Sequence, residues 1–112
     1  MEISQVVMGG ALVVAPAGRV DSTTSEALER ALAAALDRGA RRMVVDLSGV
    51  AYISSVGLRV LLVVAKRMRT ERGTLVLCGL GDAVRQVFDL AGFLPLFAVE
   101  SSRELAVKRA AA

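Results

Sequence analysis

Beyond its first twenty residues the chain alternates between helix-like and strand-like patterns, and this alternation constrains the fold more than any other feature. Short runs dominated by Val, Leu, Met and Phe stand at residues 43–47, 74–78 and 96–99. Helical spacings of apolar residues precede, separate and follow these runs. Strands that alternate with helices are joined by right-handed crossovers in a mainly parallel sheet. The sequence therefore predicts an α/β domain.

A β-hairpin is predicted to open the chain. Two β-rich runs, residues 2–8 and 11–17, flank the pair Gly9-Gly10, which is a two-residue turn signal. Together with the later runs, the hairpin predicts a mixed, mainly parallel sheet of about five strands with about four helices. At 112 residues the chain is long enough for one domain. We expect that domain to span residues 1–108, with the Ala-rich residues 109–112 frayed.

Composition excludes several functions. Histidine is absent and Cys78 is the single cysteine, so the usual general base and the usual zinc ligands are missing. We expect no catalysis, no metal and no cofactor. The lone cysteine excludes an internal disulfide, fits a cytoplasmic protein, and lies in a strand pattern that favours a buried, inert thiol.

The charge and the hydropathy of the chain limit the classes of partner that it can bind. The net charge is +3, but the basic residues are mostly scattered and no aromatic platform accompanies them, which argues against direct binding of nucleic acid. No apolar run approaches the roughly 18 residues of a membrane span, so we expect no membrane insertion.

Two adjacent serines mark the junction between the strand at 43–47 and an apolar helix pattern at 56–68. The first backbone N–H groups of a helix have no internal partner, and the positive end of the helix dipole favours an anion there. Ser54 and Ser55 could cap the helix, attack a substrate or carry a phosphate. Gly57, early in the helix, would let another backbone or a phosphate approach closely.

The helix after the serines has an apolar strip outside its core-facing stripe. Val56, Val60 and Val63 form this strip, which could be a partner surface or could be covered by a neighbouring loop. Arg59, one turn after Ser55, could contact a phosphate or a partner, or could simply be solvated.

Two acidic positions follow strands near this junction. Asp21 and Ser22 precede the first helix, where Thr23 and Glu26 have the spacing of a capping box and Ser22 and Thr24 are competing caps. Asp46 closes the strand at 43–47 and could accept N–H bonds from the following loop or shape the site. The carboxyl ends of parallel strands are where such sheets usually bind ligands.

Three motifs in order resemble the STAS domain family of anti-sigma factor antagonists. The run from Asp46 to Leu58 is similar to the family's acidic strand end, loop and serine-bearing helix start. Residues 18–22 resemble its first loop, and residues 82–93 its third helix. The resemblance places the phosphorylated serine at Ser55, with Ser54 where relatives carry an acid and Val56 where they carry Ser or Thr.

The resemblance implies partner switching. The unmodified protein would bind an anti-sigma factor with a histidine-kinase-like ATPase fold, phosphorylation of Ser55 would end that complex, and a metal-dependent serine phosphatase would reset it. Eight residues are implied in partner contacts: Asp21, Ser22, Ser54, Ser55, Val56, Arg59, Val60 and Val63. Asp46 and Gly57 would support the loop.

Other functions stay open at this point. The domain could be a STAS scaffold subunit of a lipid-transport or phosphorelay assembly in which Ser55 is never modified. It could also be a nucleotide-binding protein that uses the loops 21–25 and 48–55 as a phosphate cradle. Homodimerisation through the apolar helix face is a further expectation.

Overall fold

The computed structural model describes residues 1–112, which form six strands, four α-helices and one short 3-10 helix. The elements in chain order are β1 (Glu2–Met8), β2 (Ala11–Val20), α1 (Ser25–Asp37), β3 (Arg42–Asp46), β4 (Val50–Ile53), α2 (Ser55–Thr70), β5 (Thr74–Cys78), α3 (Asp82–Leu90), the 3-10 helix (Leu94–Leu96), β6 (Ala98–Glu100) and α4 (Arg103–Ala111). No helix has both the length and the apolar character needed to cross a bilayer.

The sheet is mixed and mostly parallel, as the alternation predicts. Its order is β1-β2-β3-β5-β6, with β1 antiparallel to β2 and the remaining neighbours parallel. Gly9 and Gly10 close the hairpin with φ of 55° and 86°, values that a two-residue turn of this kind requires and that glycine adopts without strain.

β2 is the longest strand. It runs from the end of the sheet that carries the hairpin turn to the end that carries the serines. Its first half pairs with β3 and its last residues pair with β4. Ten residues of strand span about 30 Å, so β2 begins at one end of the molecule and ends at Val20, beside the serines. We expected this strand to stop at residue 17.

The core has two unequal layers. Side chains alternate along β3, so Met43 and Val45 join the larger cluster beneath α1, α2 and α3. Val44 faces the opposite side of the sheet, where it packs with Cys78 and α4. The serine-bearing helix therefore belongs to the three-helix face, and α4 covers the other face alone.

Three segments differ from the sequence-based expectations. Residues 48–53 are not only a polar loop, because Val50–Ile53 forms β4. The last strand is shifted to Ala98–Glu100 and follows the 3-10 helix. Helix α4 continues to Ala111 instead of fraying after Lys108, since Ala110 is buried against the sheet.

Candidate functional site

Ser54 is the N-cap of α2. Its backbone is extended (φ −89°, ψ 171°), and its hydroxyl oxygen accepts a hydrogen bond from the Gly57 N–H at 3.3 Å. Its own N–H donates to the Val20 carbonyl at 2.8 Å, which anchors the helix start to the end of β2. A hydroxyl in this position satisfies one of the free donors of the first turn. Of the two serines that could cap the helix, the structure shows that Ser54 does so.

Ser55 is the first residue of α2 and is exposed to solvent. It follows β4 after a single intervening residue, so the sheet fixes its position while its side chain remains accessible. The first turn of α2 contains no acidic residue. A negative group attached to Ser55 would therefore lie beside the positive end of the helix dipole without a local carboxylate to oppose it.

Gly57 is required by packing within the domain. A Cβ at this position would lie 2.7 Å from Cγ1 of Val20 and 2.8 Å from Cγ1 of Ile53. Both contacts are with strand residues beneath the helix. The close approach anticipated at this glycine is thus made by β2 and β4, which hold the N-terminus of α2 against the sheet.

The turn before α1 is organised by Asp21. One carboxylate oxygen of Asp21 accepts bonds from the hydroxyl of Thr23 at 2.7 Å and from its N–H at 3.0 Å. These bonds, the hydroxyl bond first, lower the pKa of Asp21. Of the three candidate caps, Thr24 is the N-cap, so Thr23 and Glu26 form no capping box. The Thr24 hydroxyl donates to the Arg19 carbonyl at 2.6 Å instead of accepting from the helix.

A groove of about 480 Å³ lies between α1 and α2, next to Ser55. The α2 wall consists of Val56, Arg59, Val60 and Val63, and the opposite wall consists of Ser25, Glu26 and Glu29 of α1 with Ser22 from the preceding turn. The structure thus brings together five of the eight predicted partner-binding residues in one groove, with Asp21, Ser54 and Ser55 at or near its head.

The three valines of the apolar strip along this groove differ in their exposure to solvent. Val56 and Val63 are 46% and 49% exposed, so they are available to a partner. Val60 is only 7% exposed and belongs to the core cluster, which also contains Leu28 and Leu32 of α1. The strip is therefore a surface at its two ends and part of the core at its middle.

Arg19 and Tyr52 are site residues that the sequence analysis missed. They are register partners across β2 and β4, and the guanidinium of Arg19 stacks on the Tyr52 ring. Arg19 Nε also lies 3.7 Å from an oxygen of Asp21. The sequence contained both residues, but their pairing depends on β4, which its pattern did not reveal.

Asp46 anchors the loop that leads to the serines. One of its carboxylate oxygens accepts the Ser48 N–H at 3.0 Å, and the other accepts from Arg103 Nε of α4 at 2.8 Å. Burial acts to raise the pKa of Asp46, but the bonds from Ser48 and Arg103 outweigh burial and lower it. Asp46 therefore accepts a loop N–H bond, one of the two roles left open by the sequence, and in addition links α4 to the serine loop.

Cys78 lies fully buried at the end of β5, beside Asp46. Burial, together with the neighbouring carboxylate, raises the pKa of its thiol to about 12. A thiol with so high a pKa is protonated at neutral pH and unreactive. The structure holds no cluster of His, Cys, Asp and Glu side chains suited to a metal ion.

Fold and site together define an α/β interaction domain that presents an exposed serine at the head of a helix, beside a partly apolar groove. A profile of the STAS domain matches residues 2–106. The chain belongs to the STAS domain family.

The chain is similar over nearly its whole length to proteins named as anti-sigma factor antagonists. BtrV of Bordetella bronchiseptica, which carries that name, is 48% identical over 106 residues, covering 95% of this chain and 91% of BtrV. The crystal structure of an anti-sigma factor antagonist from Mycobacterium paratuberculosis superposes with a TM-score of 0.90 at 27% identity, covering 99% of this chain and 94% of that one.

SpoIIAA of Bacillus, solved in unphosphorylated and phosphorylated forms, has the same fold. Its unphosphorylated form superposes with a TM-score of 0.80 at 20% identity, covering 96% of this chain and 95% of SpoIIAA. At this identity the likeness shows the fold alone.

Proposed function

We propose that this protein is an anti-sigma factor antagonist that acts by partner switching. In its unmodified form it binds an anti-sigma factor that is also a serine kinase, through Ser55 and the groove between α1 and α2. The observation that carries the proposal is the position of Ser55, exposed on the first turn of α2 beside the half-exposed side chain of Val56. The shared family and the name of the 48% identical relative support it.

Phosphorylation of Ser55 would act as the switch. A phosphoserine adds about −1.5 to −2 charges and three acceptor oxygens. In the free domain this charge lies at the positive end of α2 and is tolerated. In a complex it would be enclosed against the partner's surface next to the groove, and the lost hydration of its charge would oppose binding. A loss of about 4 kcal/mol of binding free energy corresponds to roughly a thousandfold in affinity.

The protein itself performs no chemistry in this cycle. Its partner, with a histidine-kinase-like ATPase fold, supplies ATP and transfers the phosphate, and a metal-dependent serine phosphatase removes it. The exchange takes place in the cytoplasm, where ATP and the sigma factor are available. Asp21 and Ser22 at the head of α1 extend the contact surface beyond the groove.

The family resemblance implies an acid at the position of Ser54, and the capping bond of Ser54 offers a reason why the site tolerates serine there. An acidic side chain before a helix can accept the same Gly57 N–H that Ser54 accepts here. The helix start is thus preserved, while the negative charge next to the phosphoacceptor is lost. We propose that the partner kinase of this protein recognises Ser55 without that charge.

Mass spectrometry of the protein incubated with ATP and its native kinase tests the proposal. The expected result is one phosphate, a gain of about 80 Da, on the peptide that contains Ser55. Ser55→Ala should abolish this gain, whereas Ser54→Asn, which retains a capping oxygen, should retain it. A kinase that binds the protein and leaves every serine unmodified would overturn switching in favour of a scaffold role. ATP hydrolysis by the purified protein alone, lost in Ser55→Ala, would overturn the non-enzymatic assignment.

A further inference from the structure

A second cavity, of about 570 Å³, lies at the end of the sheet opposite Ser55. It is bordered by the hairpin turn at Gly10, by the end of α1 and by the start of β3. β2 begins at this cavity and ends beside the serines, so about 30 Å of strand separates the two places. The cavity shares no residue with the groove beside Ser55.

Three arginines line this cavity, and two of them have no carboxylate partner. Arg41 is neutralised by Glu71 at 2.8 Å and also donates to the carbonyls of Leu36 and Ala40. Arg38 and Arg42 are exposed and take part in none of the seven ion pairs of the domain. One guanidinium nitrogen of Arg42 lies 3.9 Å from where a Cβ of Gly10 would be, so this side chain reaches along the cavity toward the hairpin turn.

The dipole of α1 explains why a cation is placed at only one of these two positions. Arg38 is the C-cap of α1, where a cation is favoured by the negative end of the helix dipole. Arg42 is the first residue of β3 and has no such reason to be there. Arg38 and Arg42 thus both line the cavity without a carboxylate partner, and for Arg42 the helix dipole offers no compensation either.

The same cavity has an exposed apolar side chain at its edge, which does not pack in the core of the domain. Val7 of β1 is 72% exposed, although it is a large aliphatic side chain in a strand. It borders the cavity together with Leu12 and Ala35. Exposed apolar surface that adjoins polar groups in a concavity is typical of a ligand site.

We propose that this cavity binds a small organic anion, with its carboxylate or phosphate group between Arg38 and Arg42 and its apolar body against Val7 and Leu12. Guanidinium groups bind planar carboxylates and phosphates with paired hydrogen bonds. The volume lies within the range of small-molecule sites, roughly 300–1,000 Å³. The site does not involve Ser55, so this proposal can be tested independently of partner switching.

Titration of the ¹⁵N-labelled full chain, followed by NMR, tests this site with four probes. Phenyl phosphate and benzoate carry both an anion and an apolar ring, inorganic phosphate carries only the charge, and benzyl alcohol mainly the ring. We expect phenyl phosphate or benzoate to shift the amides of Gly10, Gly39 and Arg42 and to leave Ser55 unchanged. Whichever of the two binds more tightly identifies the anionic group that the site prefers.

Variants then separate the contribution of charge to binding from the contribution of apolar contact. Arg42→Gln should weaken binding about tenfold, the usual cost of losing a charged hydrogen-bond donor. Arg85→Gln, which removes the same charge from the exposed face of α3, should leave binding unchanged. Val7→Glu places an acid at the exposed edge of the cavity and should abolish binding, with unchanged circular dichroism showing that the domain is folded.

Three results would overturn the site. One is the absence of saturable shifts at millimolar phenyl phosphate and benzoate. Another is binding of inorganic phosphate as tight as that of phenyl phosphate, which would mean an adventitious ion only. The third is an equal effect of Arg42→Gln and Arg85→Gln, since that would mean attraction by the net charge of the protein.

Discussion

The guanidinium carbon of Arg19 lies 4.3 Å from the centroid of the Tyr52 ring, which joins the ends of β2 and β4 immediately before the serines. Arg19 also reaches Asp21, so this one side chain touches both loops of the site. β4 is only four residues long, and a strand that short gains little from its own ladder. The stacked pair therefore adds a side-chain contact to the backbone pairing of the strand that precedes α2.

A double-mutant cycle measures how much this pair contributes. Arg19→Ala, Tyr52→Ala and the double variant should reveal a coupling of about 0.5–1 kcal/mol in the free energy of unfolding, the usual value for an exposed cation–π contact. Urea denaturation provides the measurement. Tyr52→Phe in place of Tyr52→Ala should remove most of the loss, because the ring is kept. A coupling near zero would mean that the stacking is incidental.

Substitution of Gly57 should destabilise the domain through overpacking. In Gly57→Ser the new Cβ meets Val20 and Ile53 at less than 3 Å, and relief of that overlap should cost about 1–3 kcal/mol of unfolding free energy. Gly81→Ser is the matched control, since a Cβ there meets nothing within 4 Å and serine is a good N-cap for α3. Equal stability of the two variants would show that α2 can move away from the sheet without cost.

The Asp46–Arg103 pair should make stability depend on pH. Because the pKa of Asp46 in the folded state is below its ordinary value of 3.8, its contribution is fully present above that value and is lost as the pH falls through the folded-state pKa. Asp46→Asn should cost about 1–3 kcal/mol near neutral pH. The difference from the parent should narrow below pH 3.8.

Urea denaturation at a series of pH values checks this expectation. The exposed pair of Glu100 and Arg109 is the natural control: Glu100→Gln should change stability by less than about 0.5 kcal/mol at neutral pH. If the gap between Asp46→Asn and the parent were the same at every pH, the ionised form of Asp46 would not be the stabilising one.

Substitutions at exposed and buried positions of the apolar strip should affect partner binding and stability separately. Val63→Asp changes an exposed side chain and should leave unfolding within about 0.5 kcal/mol of the parent, while weakening the kinase complex at least tenfold. Val60→Ala removes buried methyl groups and should cost about 1–3 kcal/mol of stability. Calorimetry of binding combined with denaturation distinguishes the two effects. Undiminished affinity in Val63→Asp would exclude the groove from the interface.

The two serines should differ in their effect on the complex. Ser55→Asp should weaken binding of the kinase much more than Ser54→Asp, because Ser55 is exposed whereas an acid at position 54 can accept the capping bond. The stability of both free variants should stay close to that of the parent, since a carboxylate is favoured at either position. Titrations with equal losses for the two variants would contradict the choice of Ser55 as the switch.

The sequence predicts the fold well where short-range patterns decide it. The spacing of Leu28, Leu32 and Leu36 in α1, and the paired glycines of the hairpin, specify elements that the structure contains. The cap at Ser54 could also be predicted, because capping depends on residues within one turn. At the start of α1 the local pattern left Ser22, Thr23 and Thr24 as competing caps, and only the structure selects Thr24, while the Thr23 hydroxyl donates to Asp21.

Features that depend on distant partners could not be predicted. β4 is too short to show a period, and it becomes a strand because β2 provides an edge for it. Burial of Val60 depends on the packing of α1 and α2 in one core cluster, and the Asp46–Arg103 bond joins residues 57 positions apart. These contacts complete the candidate site, but each requires knowledge of the packing.

The buried thiol of Cys78 has a practical consequence. With its pKa near 12 and its side chain enclosed by β5 and α4, it should not react with maleimides at neutral pH. The parent chain therefore behaves toward such reagents as a cysteine-free protein. A cysteine introduced at exposed Ser22 could carry a single fluorophore at the groove, so exchange of partners could be followed in real time without rebuilding the core.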